Sequence, residues 1–316
     1  MKYNHIFGPV PSRRLGLSLG VDLVPHKTCS FDCIYCECGP TIQHTCKRGL
    51  YVDPDEVIEE LRSFLSGSPE LDYITFSGAG EPTLNSGIGK VVDFIKDNYS
   101  GYRLALLTNA SLLSEKEVRD EIKRCDLIIP SVDAVSPDLF ESINNPASGI
   151  DIREILKGIE LLKKETAADI WVEIFVVPGM NDSEEELTVL KKALLKIQPD
   201  LVQLNTLDRP GVIASIFPVD KKGLERIREF LNPLPVGIVG IPDDIACSGP
   251  VSHEGIEDRI LALIGRRPCT VDDLSAALGL KKMHLLKYLR RFEKCDRIIP
   301  EKKERGVFYI LKKDGR

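Results

Sequence analysis

Short runs of apolar, mostly β-branched residues alternate along most of this chain with longer stretches whose apolar positions recur every three or four residues. The short runs are SLGVDLV (18–24), YITFS (73–77), RLALLT (103–108), LIIPS (127–131), IWVEIFV (170–176), LVQLN (201–205) and VGIVG (236–240). Nearly unbroken apolarity is what a strand covered on both faces needs. Such strands, separated by amphipathic helices, predict βα units around a parallel sheet. Helix starts are marked by Asp53-Pro54 with Glu56, by Ser114 with Glu117, by Ser183 with Glu186 and by Ser136-Pro137. In each, a side chain suited to capping precedes a proline or a carboxylate in the first turn. Six or more such units predict an α/β fold, a partial or full TIM-type (β/α) barrel over residues 1–249. Its chemistry belongs at the C-terminal ends of the strands.

The pattern changes after about residue 250. IEDRILALIGRR (256–267) reads as an amphipathic helix. TVDDLSAALG (270–279) and KKMHLLKYLRRFEK (281–294) read as two helices about a tight turn, and CDRIIPEKKERGVFYIL (295–311) as a β-hairpin. This order resembles a winged helix. The segment has its own apolar periodicity (Ile260, Leu261, Leu263, Ile264, Leu274, Leu278, Leu285, Leu289). A second domain over 250–316 is therefore expected, with the barrel able to close and work without it. The charge is divided in the same way. Residues 250–316 hold 16 basic and 10 acidic residues, the rest 26 and 38. A basic tail suits a nucleic acid, an acidic protein or the acidic barrel itself.

The chain has 316 residues, 43% hydrophobic and 28% charged, ordinary values for a soluble globular protein. The first residues lack the apolar run of a signal peptide, and no stretch approaches the roughly 18 apolar residues of a membrane span. A cytoplasmic protein without membrane contact is expected. Nine cysteines in such a chain point to metal ligands or buried thiols before disulfides. Five of them, Cys29, Cys33, Cys36, Cys38 and Cys46, crowd the segment after the first strand.

That segment, TCSFDCIYCECG, carries C-x3-C-x2-C at Cys29, Cys33 and Cys36, with Tyr35 before the last cysteine. Thiolates are the usual ligands of iron–sulfur clusters, and three of them leave one iron open to a further ligand. The alternative is zinc, with Cys33 and Cys36 joined by Cys46 or His44. The second strand ends in TFSGAGEPTLN, where glycines let the backbone approach a ligand and Glu81 offers a carboxylate. The spacing and the loop position resemble the radical S-adenosylmethionine superfamily. The resemblance implies a 4Fe–4S cluster on Cys29, Cys33 and Cys36 that chelates S-adenosylmethionine. It implies reductive cleavage to a 5′-deoxyadenosyl radical, which abstracts hydrogen from substrate. An electron donor such as ferredoxin or flavodoxin is implied as well.

By the same resemblance the cofactor shelf comprises Tyr35, Ser77, Gly78, Gly80 and Glu81, the last gripping the amino group. Thr108, Asn109, Ser131 and Asp133, at the ends of the next strands, would serve the ribose and carboxylate. Val177 and Gly179 in VVPGMND would serve the adenine. Ordinary strand-end turns are the alternative for each. FGPVPSRRLGLSLGVDLVPHKTC, TFSGAGEPTLN, PGMND and LNTLDRP together resemble a poorly characterised group of radical S-adenosylmethionine proteins, over roughly residues 6–245. That group is related to the wyosine-forming tRNA enzymes. Those enzymes carry a second cluster on upstream cysteines, and residues 1–28 here hold none. Cys38, Cys46 and Cys247 are the remaining candidates for one, lone thiols being the commoner case.

Arg13, Arg14, Asn205 and Arg209 flank the first and sixth strands. They are candidates for a clamp on a substrate carboxylate or phosphate, or else for surface ion pairs. The substrate, whether small molecule, peptide or RNA, and any catalytic residue beyond the cofactor are not specified. Two functions compete: an enzyme, and a regulator whose barrel senses iron or S-adenosylmethionine while the tail holds DNA. Lys281, Lys282, Lys287, Arg290 and Arg291, with Lys302, Lys303 and Arg305, would supply such contacts. The completeness of the cluster and shelf motifs favours the enzyme.

Overall fold

Residues 3–239 and 256–312 are described by the structure, a computed structural model. The first unit opens with β1 (Ile6–Ser12), β2 (Gly16–Val21), the two-residue strands β3 (Thr28–Cys29) and β4 (Gln43–His44), α1 (Pro54–Leu65) and β5 (Tyr73–Phe76). After a 3-10 turn at Pro82–Leu84 come α2 (Ile88–Asn98), β6 (Arg103–Thr108), α3 (Lys116–Ile122), β7 (Leu127–Pro130), α4 (Pro137–Asn144) and α5 (Ile152–Glu165). It ends with β8 (Asp169–Phe175), α6 (Glu184–Ile197), β9 (Leu201–Asn205), α7 (Lys221–Phe230) and β10 (Val236–Ile238).

The eight-stranded sheet has the order β1-β2-β5-β6-β7-β8-β9-β10. From β2 onward neighbouring strands are parallel, and β1 is antiparallel to β2. Among the described residues β10 does not pair back onto β1, so the barrel is partial. All seven expected strands are present. β1 was not foreseen, since IFGPVPS holds two prolines; prolines are tolerated because β1 is an edge strand.

Alternation along each strand sorts the two faces. Leu19, Val21, Ile74, Phe76, Leu104, Leu106, Ile128, Val172 and Leu204 point toward the helices and join the main core. The opposite face gives Tyr73, Ala105, Leu127 and Ile129, which pack with Leu15 and Trp171 as a smaller apolar plug. Tyr73, Leu127 and Trp171 stand near strand starts, so the plug fills the N-terminal half of the barrel. The next layer is polar. Ser18 Oγ and Thr75 Oγ1 lie 2.6 Å apart, Arg14 pairs with Glu173, and the buried Gln203 Oε1 has no hydrogen-bond partner among the described residues.

The helix starts follow the expectation in part. Asp53 and Ser183 accept from the backbone N–H of Asp55 and Glu186. Ser114 does not cap: α3 begins after Glu115 with no side-chain cap. Ser136 precedes α4, but its hydroxyl goes to the buried Glu186, whose carboxylate also accepts from Val135 N at 2.6 Å. A buried carboxylate needs several donors, and that demand outweighs the local cap.

The second unit contains α8 (Ile256–Arg266), β11 (Cys269–Thr270), α9 (Val271–Leu278), α10 (Lys282–Lys294), β12 (Ile298–Lys303) and β13 (Gly306–Leu311). Its sheet is antiparallel, in the order β11-β13-β12. The expected apolar positions Ile260, Leu261, Ile264, Leu274, Leu278, Leu285 and Leu289 form its core. The domain boundary expected at 249/250 lies outside the described residues.

The tail does not stand apart from the barrel. Arg266 donates to Asp22 Oδ2 through Nε at 3.0 Å and Nη2 at 2.8 Å, and Arg209 Nη1 donates to Pro268 O at 2.8 Å and to Asp273 at 3.0 Å. Arg305 meets Asp208 at 3.0 Å and Asp273 at 2.8 Å. No helix among the described residues is long and apolar enough to cross a membrane.

Candidate active site

The cysteine loop leaves β2 at the C-terminal end of the barrel and is pinned to the end of α4. Asp32 N donates to Asn144 O at 3.1 Å and Ile34 N to Ile143 O at 3.0 Å, while Ala147 N returns a bond to Ser30 O at 2.8 Å. Within the loop, Cys36 N donates to Cys33 O at 3.1 Å, turning the last two cysteines toward each other's side of the chain.

Each of the three sulfurs receives a donor from a different element. Asn109 Nδ2 lies 3.6 Å from Cys29 Sγ, Asn144 Nδ2 3.4 Å from Cys33 Sγ, and Lys27 Nζ 3.1 Å from Cys36 Sγ. Burial, then the charge of Glu81, pushes the Cys29 thiol up to about 12. Burial and Asp133 raise Cys33. A hydrogen bond with Cys38, helped by Lys27 and opposed by burial, draws Cys36 down to about 6. The thiols act on one another's charge. Yet among the described residues no three His, Cys, Asp or Glu side chains converge as they would around a single metal ion. His44 Nε2 lies 3.3 Å from Ser30 O, and Cys46 Sγ faces Ser148 O at 3.9 Å, so the four-ligand zinc set is not assembled. Cys38 is engaged with Cys36, and Cys247 lies outside the described residues.

The shelf residues come together at the same end, with a different division of labour from the one expected. Glu81 is 1% exposed, and its carboxylate accepts from Thr83 N (3.0 Å), Thr83 Oγ1 (2.7 Å), Thr108 Oγ1 (2.8 Å) and Asn109 N (2.7 Å). An ionised carboxylate has about four acceptor sites. The geometry therefore favours Glu81 as a staple between the ends of β5 and β6 over Glu81 as a grip on an ammonium. Thr108 is spent on it, and Asn109 divides its side-chain amide between Cys29 and Ser30 Oγ at 2.8 Å.

Asp133 is likewise 2% exposed and occupied, accepting from Tyr35 Oη at 2.5 Å, Asn144 Nδ2 at 2.6 Å and Phe175 N at 2.8 Å. Burial leads the causes that raise Asp133 to about 6. Tyr35 also stacks on Phe175, centroids 3.8 Å apart, which fastens the cysteine loop to the end of β8. Val177 is buried, and its N–H goes to Asn181 Oδ1 at 2.7 Å. Gly179 sits in an open turn at φ 74°.

What remains free for a ligand is narrower than the sequence suggested. Ser77 and Ser131 are half-buried and make no side-chain hydrogen bond among the described residues. The Gly78–Gly80 backbone meets the start of the cysteine loop, Ala79 O accepting from Lys27 N at 2.5 Å and Thr28 O from Glu81 N at 3.0 Å. A Cβ on Gly78, at φ 120°, would lie 1.9 Å from Asp22 Oδ1, and one on Gly80 2.3 Å from Thr28 O. These glycines are needed for the turn to seat against β2 and the cysteine loop.

The candidates for a substrate clamp are all engaged within the protein, as the ion-pair alternative has it. Arg209 is 4% exposed and paired across the junction with Asp273. Arg13 faces Glu37 at 3.9 Å and Asp208 at 3.7 Å, and Arg14 is held by Glu173. Asn205 is buried, its Oδ1 accepting from Thr206 N at 3.0 Å. None of the three arginines is a free guanidinium. Sequence reasoning missed Lys27, Asn144, Asn181 and Glu37. Asn181 holds the end of β8 to Asp133 O and Phe175 O, both at 2.8 Å. Its place in PGMND was the one signal available, and that motif was assigned to the adenine.

A parallel partial barrel with three cysteines in the loop after its first parallel strand is the architecture of radical-generating, S-adenosylmethionine-dependent enzymes. The chain belongs to the Radical SAM superfamily, which it matches over residues 23–190, and it is an enzyme. It is 30% identical over 270 residues to a UPF0026 protein of Methanocaldococcus jannaschii, covering 83% of this chain and 82% of that one. It is 32% identical over 301 residues to a protein of Brachyspira hyodysenteriae named GTPase Obg; this covers 95% of the chain but spans only 44% of that relative. Among solved structures, a radical SAM methyltransferase from Sphaerobacter thermophilus superposes with a TM-score of 0.55 at 17% identity, covering 70% of this chain and 65% of that one. That likeness is one of fold.

Proposed function

We propose that Cys29, Cys33 and Cys36 hold a 4Fe–4S cluster and that the chain uses it with S-adenosylmethionine on a substrate still to be identified. The observation that carries this reading is the set of three sulfurs, each met by its own N–H donor. Hydrogen bonds of this kind tune cluster thiolates, and three scattered structural thiols would not need them. When bound, the pair supplies one-electron cleavage of the sulfonium to a 5′-deoxyadenosyl radical that takes hydrogen from the substrate.

The protein's part is placement. Lys27 offsets thiolate charge at Cys36, and Asn109 and Asn144 fix the other two sulfurs. Tyr35 and Asp133 hold the loop against β8. The hydroxyls of Ser77 and Ser131 and the Gly78–Gly80 backbone are the groups left to receive the cofactor. Ferredoxin or flavodoxin is the fitting class of electron donor.

The helix–strand–helix–helix–hairpin order and three-stranded sheet of the tail support the winged-helix reading. The hairpin's Arg305 is engaged by the barrel, whereas Lys287, Arg290 and Lys294 on α10 are exposed and leave a nucleic-acid contact open to that helix. Anaerobic reconstitution tests the main reading. About four irons and four sulfides per chain, and 5′-deoxyadenosine on adding dithionite and S-adenosylmethionine, are expected. The Cys29→Ala, Cys33→Ala, Cys36→Ala variant should hold no iron. Stoichiometric zinc that survives air, or a loaded cluster that never cleaves the cofactor, would overturn it; the second result is what the regulator hypothesis requires.

A further inference from the structure

The corner between α8 and β11 crosses the open side of the barrel mouth. Three consecutive residues make the crossing. Arg266 is bonded to Asp22, just after β2, and its guanidinium carbon lies 4.4 Å over the Phe7 ring. Pro268 O accepts from Arg209, just after β9. β2 and β9 each lie one strand in from opposite edges of the incomplete sheet. Arg267 is therefore carried across the gap between them.

Among the described residues of this junction Arg267 is the cation left over. Beside it three other guanidiniums, of Arg13, Arg209 and Arg305, already meet three carboxylates, of Glu37, Asp208 and Asp273. Glu37, the carboxylate that acts on Arg267, is already taken. Its Oε1 accepts from Asp208 N at 2.9 Å and Arg209 N at 3.0 Å, and its Oε2 faces Arg13 and Arg209. Asp273 is shared by Arg209, Arg305 and Thr270 N. Arg267 makes no side-chain hydrogen bond or ion pair among the described residues. Burial first, and then the neighbouring Arg209, holds its pKa below the usual value; Cys269, Cys38 and Glu37 act in the other direction. Arg267 is half-buried, and a guanidinium partly withdrawn from water without a partner is costly; Cys38 and Glu37 of the cysteine loop are among the groups that act on its charge.

We infer that Arg267 is an oxyanion receptor at the barrel mouth, supplied by the C-terminal unit, and that it binds the carboxylate or phosphate of the substrate. A planar fork with free donors suits either group. The tail is then a wall of the substrate site and not a detachable module. That the anion belongs to a substrate rests on the radical reading above; that an anion binds does not.

Thermal unfolding of the full chain, titrated with inorganic phosphate or with malonate at constant ionic strength, separates the cases. One of the two should raise Tm saturably, and the one that saturates first gives the class of substrate group. Arg267→Met should weaken that binding by about tenfold to a hundredfold, the loss of a charge-assisted bond, and Arg267→Lys by less. In anion-free buffer Arg267→Met should be as stable as the parent or more so, since it removes an unpaired charge beside Arg209. No saturable shift with either ion, an equal shift in Arg267→Met, or a variant already destabilised without any anion would overturn the inference. The readout needs neither cluster nor cofactor cleavage. Failure of 5′-deoxyadenosine formation with anion binding intact would count against the proposed function alone.

Discussion

Replacing Glu81 by alanine separates the role legible in the motif from the role visible in the fold. The carboxylate accepts four hydrogen bonds at 2.7–3.0 Å in a site 1% exposed. The two threonine hydroxyls can rotate toward other acceptors. The N–H groups of Thr83 and Asn109 cannot. Two orphaned backbone donors at about 1–3 kcal/mol each give a loss of about 2–6 kcal/mol, reduced if water enters the vacated space. Because Asn109 carries the amide that meets Cys29 Sγ, iron loading should fall together with stability. Urea unfolding of the metal-free chain gives the first number and iron analysis after anaerobic reconstitution the second. Glu81→Gln should lie between, since its NH2 must face at least one donor. If Glu81→Ala unfolds within about 0.5 kcal/mol of the parent, the margin usual for surface substitutions, and loses only S-adenosylmethionine affinity, the staple assignment is wrong and the carboxylate is a cofactor ligand.

The same geometry sets other expectations. Lys27→Met removes the ammonium 3.1 Å from Cys36 Sγ; it should lower the cluster's reduction potential, each tenfold change in the one-electron equilibrium being about 59 mV, as read by redox titration. Arg209→Met leaves Asp273 and Glu37 short of a partner in a buried network and should cost about 3–5 kcal/mol, seen as faster proteolytic release of the tail; equal cleavage rates would show that the junction does not depend on it. Arg209, Thr270 and Arg305 hold the Asp273 carboxyl below its usual range against the opposing effect of burial. Its contribution should be complete above about pH 3.9, the unfolded value, and lost as pH falls through the lower folded value; Asp273→Asn should remove that acid dependence. A chain ending at residue 249 should fold, since the main core lies within 6–231, but with the mouth uncovered it should lose the anion-dependent rise in Tm.

Much of this protein was determined by local sequence. Seven apolar runs of strand length, spaced by amphipathic stretches, leave little besides a parallel sheet with helices outside, because a strand buried on both faces cannot afford polar positions. The C-x3-C-x2-C spacing is equally local: Cys29, Cys33 and Cys36 lie within eight residues of one another, so the joint role proposed for them needs no knowledge of the fold. Tertiary structure decided which polar groups remain available. Glu81, Asp133 and Arg209 read as ligands because each is a charged side chain at a strand end. Burial turned each toward protein donors or acceptors tens of residues away, since a charge withdrawn from water must be satisfied by whatever the fold brings near. Arg267 carried no signal at all in a basic tail. Among the described residues its isolation arises because α8 and β11 carry it across a gap between β2 and β9, where Glu37, Asp208 and Asp273 are paired with other arginines, and no local pattern encodes that shortage.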